Sequence, residues 1–153
     1  MTWHRYLSTE HVLSDLIGRT VTAIHWSEDR IVLETDDGPR AYYVDGDCCS
    51  HSYFHDFFGV EHLLNNGPVT EVDDVDLADD DPRFSEPVSQ DDYEEIKVYG
   101  YRLTTVHPVF GEVSSVLSFR NSSNGYYGGS MDRDTDTAAD GNLTQLTTDF
   151  IGA

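Results

Sequence analysis

The residues best equipped for chemistry lie in one stretch, Ser118-Phe119-Arg120-Asn121-Ser122-Ser123-Asn124-Gly125-Tyr126-Tyr127-Gly128-Gly129. A planar cation, two amides, hydroxyls, two phenols and a permissive backbone fall within these twelve residues. Arginine grips phosphate bidentately, asparagine pairs with a base or ribose, and tyrosine stacks on a base. The inventory therefore suits a flat, polar, phosphate-bearing ligand. The same residues also describe a well-ordered hairpin loop with tyrosine rings packed on a sheet, and chemistry alone favours that plainer reading.

Other constellations are weaker. Cys48, Cys49, His51 and His55 have metal-ligand side chains, but zinc knuckles space their ligands by two to four residues. Adjacent cysteines in extended backbone point to opposite sides, so a strand-to-helix corner is the preferred reading. A Cys49/His51 nucleophile pair would define a nucleotide-processing enzyme, yet no third member is identifiable. Asp132-Arg133-Asp134-Thr135-Asp136 opens like a calcium loop, but Thr137 stands where glycine is needed and Leu143 where glutamate is needed. No metal and no cofactor is expected. His107 precedes Pro108 and reads as a turn residue, while Trp26, Tyr42 and Tyr43 read as core or rim aromatics.

Charge narrows the partners. Twenty-nine acidic against nine basic side chains give a formal net charge of −20 over 153 residues. Such a field repels nucleic acid and anionic membranes. A small anion needs a local pocket holding several of the few cations, which singles out Arg102 and Arg120. No run approaches the roughly 20 apolar residues of a membrane span, and the first residues lack a signal-peptide core. The expectation is a cytoplasmic protein with reduced cysteines.

The elements that must position these residues read as follows. Ser8 to Ile17 predicts a short helix, capped by Ser8 and stopped by Gly18. Thr20–Trp26, Ile31–Thr35 and Arg40–Asp45 predict an antiparallel meander, with Thr22, Ile24 and Trp26 on one face of the first strand. Tyr53–Phe58 predicts a buried short helix, and Val60–Asn66 a further turn or two. Val69–Leu77 predicts a strand, and residues 78–92 an exposed, mobile acidic loop. Tyr93–Thr105 predicts the longest strand, with a bulge at Tyr99-Gly100 that places Ile96, Val98, Tyr101 and Leu103 on one face. Val113–Arg120 returns beside it, so Arg102 and Arg120 share a polar face. Met131 to Asn142 reads as loop or tail, and Leu143–Ile151 as a short closing strand, an oligomer contact or frayed chain. The class is α+β: an antiparallel β-sheet with a few short helices, one domain over 1–153, its core at about 16–129 and a tail at 130–153.

Three segments, Gly46-Asp47-Cys48-Cys49-Ser50, Tyr99-Gly100-Tyr101-Arg102 and Phe119 through Gly129, together resemble the phage Thoeris anti-defence sponge family of the first-described type and its phage relatives. The resemblance implies a non-enzymatic protein of the host-cell cytoplasm that binds a cyclic ADP-ribose isomer, or a related cyclic nucleotide, without cleaving it. It implies a homo-oligomer, dimer or hexamer, with pockets at subunit contacts. The family's arginine carries over to Arg120, with Arg102 a looser transfer; Asn121, Asn124, Tyr126, Tyr127 and Tyr99, chosen for their own chemistry, complete the ligand-contacting candidates. The acidic loop, the tail and the charge depart from the family pattern. Two alternatives stand beside this reading: an acidic interaction module that inhibits a host protein, and the Cys49/His51 enzyme.

Overall fold

Alternation of apolar and polar residues builds most of this chain into antiparallel strands. The computed structural model describes residues 11–46, 50–88, 90, 94–123, 128–138 and 141–148. Among them run β1 (Val21–Trp26), β2 (Arg30–Thr35), β3 (Gly38–Gly46), β4 (His51–Phe58), α1 (Val60–Asn65), β5 (Glu71–Val75), β6 (Glu95–His107), β7 (Gly111–Ser123), β8 (Gly129–Arg133) and β9 (Thr144–Leu146). A five-stranded sheet has the order β8-β3-β2-β1-β9, and a four-stranded sheet the order β4-β7-β6-β5. Both sheets contribute to one apolar cluster: Ile24, Leu33 and Tyr42 from the first meet Phe54, Leu117 and Phe119 from the second. Among the described residues the class is predominantly antiparallel β with one short α-helix and one 3-10 turn.

The expected meander is present as β1-β2-β3. Its first strand departs from simple alternation. A bulge between Val21 and Ala23 turns Val21 inward beside Ile24 and Trp26, and all three are buried. The N-terminal helix is a 3-10 turn, Val12–Leu16, which buries Leu13 and Leu16. Its cap is His11, whose Nδ1 accepts from the Leu13 amide at 3.0 Å; Ser8, the expected cap, lies outside the described residues. Gly18 follows at φ +84, where only glycine sits without strain.

The segment predicted as a helix from Tyr53 to Phe58 is instead most of β4, paired with β7. The register slips between Phe54 and Phe57, and Asp56 takes a left-handed φ of 71°. This bulge buries Phe54 and Phe57 on the same side. Their spacing of three, which mimics a helical stripe, is produced by the extra residue in the strand. The second expected helix is α1, entered through Gly59 at φ +70.

The bulge expected at Tyr99-Gly100 is absent. The β6–β7 register runs unbroken from Glu95↔Ser123 to His107↔Gly111. Tyr99, Tyr101 and Leu103 therefore face the core, while Ile96, Val98 and Arg102 face outward. Gly100 has a different purpose. A Cβ there would lie 3.0 Å from the Val75 carbonyl oxygen, so its lack of side chain admits β5 and the chain beyond it. His107 takes the expected turn role: its Nδ1 accepts from the amides of Val109 and Phe110 at 3.0 and 3.1 Å.

Two further expectations are corrected. Part of the segment read as tail is β8, which pairs with β3 and buries Met131; one buried apolar residue in five carries too little alternation to be seen. The acidic segment is not wholly exposed. Residues 78–88 fold through consecutive turns, and Phe84 is buried against the outer face of the four-stranded sheet. β9 supplies the closing strand, paired with β1.

Candidate functional site

Register decides which of the candidate residues can act together. Arg120 lies opposite Val98 on β6, and Arg102 opposite Val116 on β7. Paired residues share a face, so both arginines face outward, as their parity predicts. Asn121 and Tyr99 point the other way, toward the space between the sheets. Adjacent strand residues face opposite sides, so Arg120 and Asn121 do not line one pocket. Asn124, Tyr126 and Tyr127 lie outside the described residues.

The Arg120 guanidinium is buried and occupied. Its Nη2 donates to the Glu86 carbonyl oxygen at 2.7 Å and lies 3.7 Å from Asp56 Oδ2. The Phe84 ring covers it, 5.0 Å from the guanidinium carbon to the ring centroid. Asp56 is fully buried and also meets His55 Nδ1 at 2.9 Å and the Ser85 amide at 3.2 Å. Arg83 lies over the Phe58 ring, which neighbours Phe84. Residues 83–86 thus form a strap held on the sheet by Arg120, which donates to the Glu86 carbonyl, by Asp56, which accepts from the Ser85 amide, and by the paired Phe58 and Phe84 rings. Arg120 Nε has no hydrogen-bond partner among the described residues. Arg102 is held differently, by a two-point pair with Asp73 at 3.0 and 2.8 Å on the open surface. All seven described arginines lie within 4.0 Å of an aspartate: Arg19, Arg30, Arg40, Arg83, Arg102, Arg120 and Arg133.

At the other face, residues distant in sequence meet at one corner where the chain passes between sheets. Gly46 ends β3 opposite Gly129, which begins β8. Ser52 on β4 lies opposite Asn121 on β7, and its Oγ donates to the buried Asn121 Oδ1 at 2.8 Å. The same Oγ is 3.0 Å from the Asp45 carbonyl oxygen. Tyr99 stacks on Phe119 at 4.6 Å with the rings 16° apart, and its Oη accepts from the Gly129 amide at 3.2 Å. Glycine is required by close approach. A Cβ on Gly46 would sit 2.9 Å from the Ser50 carbonyl oxygen, one on Gly128 would sit 2.9 Å from Tyr99 Oη, and one on Gly129 would collide with Ser52 Oγ. Gly129→Ala should therefore cost roughly 1–3 kcal/mol, the usual range for overpacking; urea denaturation of the purified variant measures it.

Among the described residues no group of three or more His, Cys, Asp or Glu side chains is arranged to hold an ion. Cys48 and Cys49 lie outside the described residues, and His51 Nε2 pairs with Glu28 at 2.9 Å. Asp134 and Asp136, the would-be calcium ligands, neutralise Arg30. A groove of about 660 Å³ beside β6 is lined by Asp79, Glu94, Glu95 and Lys97 among others. With three carboxylates to one ammonium among these four, it repels an anion.

The fold and this corner define a two-sheet antiparallel β protein with one shared core. Residues 14–133 match the family described as "Domain of unknown function (DUF7448)", and the chain belongs to that family. No curated protein and no solved structure is significantly similar to it. Among the described residues no helix is long and apolar enough to cross a membrane.

Proposed function

We propose that the protein is a non-catalytic binder that sequesters a cyclic ADP-ribose isomer, or a related cyclic nucleotide signal, and holds it uncleaved. One observation carries the reading. Gly46, Ser50, Tyr99, Asn121 and Gly129, drawn from the three segments that resemble the sponge family, converge on a single corner. That corner frames both ends of the segment holding Asn124, Tyr126 and Tyr127. The strand register also revises the roles. Arg120 belongs to the clamp on the opposite face, so the proposed grip does not use its guanidinium. A dimer or hexamer then closes the pocket between copies.

The test is calorimetric titration of a cyclic ADP-ribose isomer into the protein and into Tyr99→Phe. Loss of the phenol removes the hydrogen bond that seats Gly129 while keeping the ring on Phe119. Affinity should fall about threefold to tenfold, the worth of one net hydrogen bond. Unchanged affinity in the variant would move the site away from the corner.

A second reading has its own support. With every described arginine neutralised by an aspartate, the outward field is almost wholly negative. That suits an interaction module acting on a basic host protein. Absence of any cyclic nucleotide binding by the wild type would favour it.

A further inference from the structure

The outer face of β4 carries a row of rings that the corner does not use and that meets the clamp through the His55–Asp56 contact. His51, Tyr53 and His55 alternate along the strand and so project to one side. His51 stacks on Tyr53 at 5.4 Å with the rings 24° apart, and Tyr53 meets His55 edge-on at 6.3 Å. β4 is the outermost strand of its sheet, and the His51 side chain is 62% exposed. Carboxylates surround the row. Glu28 bonds His51, and Glu94 accepts from Ser122, the residue opposite His51. Burial pushes the Tyr53 phenol up; Arg120 opposes this, and Glu94, Glu86 and Glu28 reinforce it. Arg120, the cation that acts on the Tyr53 phenol, is already committed to Asp56 beneath Phe84.

We infer that the His51–Tyr53–His55 row is a docking surface for an arginine-bearing segment of a partner protein. The inference rests on the second reading above and names its surface. Aromatic faces attract guanidinium groups, and flanking carboxylates complete the ion pairs that an exposed ring alone lacks. Anionic ligands are disfavoured at the same place by the three glutamates. Charge complementarity therefore selects the occupant, in a chain of net charge −20.

A capped arginine tripeptide is the probe, titrated at physiological ionic strength while the histidine and tyrosine ring resonances are followed by NMR. The ring resonances of His51 and Tyr53 should move together. Tyr53→Leu should weaken binding about threefold to tenfold, the range expected when a cation–π contact at a part-exposed site is lost. His51→Ala, at an exposed position, should weaken it in the same direction with an unchanged melting temperature. Binding that spreads over the acidic surface and ignores both variants would overturn the assignment and leave the interaction-module reading standing. No binding at all would overturn both.

Discussion

Asp56→Ala is expected to cost about 3–5 kcal/mol of folding stability, the range for removing one partner of a buried ion pair. The expectation follows from what is left behind. Asp56 is fully buried and Arg120 almost so; without the carboxylate, a guanidinium remains in the interior beside the Glu86 carbonyl oxygen and the Phe84 ring. The Ser85 amide and His55 lose their acceptor at the same time. Asp56 also occupies a left-handed conformation, which asparagine and aspartate tolerate better than most residues. Asp56→Asn should therefore keep the backbone and lose the charge, falling between wild type and alanine. Replacing both members by apolar residues of similar size should restore part of the loss, because no charge is then stranded, while the left-handed backbone at residue 56 and the unpaired Ser85 amide keep the remainder. Urea denaturation of the three variants checks the order. A single Asp56→Ala variant as stable as wild type would show that the clamp contributes nothing.

Phe119→Ala is expected to lose about 3–5 kcal/mol through the cavity it leaves. The ring is fully buried at the junction of both sheets, with Tyr99 at 4.6 Å, Tyr101 at 6.0 Å and Phe54 at 6.4 Å. Since natural domains are stable by only about 5–15 kcal/mol, the variant should stand near its unfolding threshold. Its urea midpoint should drop with little change in slope. The loss also unseats Tyr99, so cyclic nucleotide affinity should fall further in Phe119→Ala than in Tyr99→Phe.

The meander was legible because one face of each strand is buried and the other is wet, which writes itself as alternation. Leu117 and Phe119 against Ser118 and Arg120 is the same signal, and it placed both arginines on one face correctly. Where alternation was broken the sequence misled. Phe54 and Phe57, three apart, imitated a helix because Asp56 inserts a bulge. Tyr99-Gly100 imitated a bulge because apolar residues fall on both faces of β6, Tyr99, Tyr101 and Leu103 toward the core and Ile96 and Val98 on the other side. Nothing local announced that Phe84, a lone ring in a run of carboxylates, would cover Arg120. Nor could spacing link Asp56 to Arg120, whose meeting depends on the β4–β7 pairing. The site was legible as an inventory of side chains. Its division between two faces came only with the register, since Arg120 and Asn121 are neighbours in a strand.

The central claim is that a cyclic nucleotide is held whole at the corner between the sheets. The most direct measurement mixes a cyclic ADP-ribose isomer with excess protein, assays the free ligand, then releases the bound fraction by heat and weighs it by mass spectrometry. Free ligand should be depleted and the released molecule should be recovered intact and cyclic. Undepleted ligand, or recovery of a linearised product, would contradict the account.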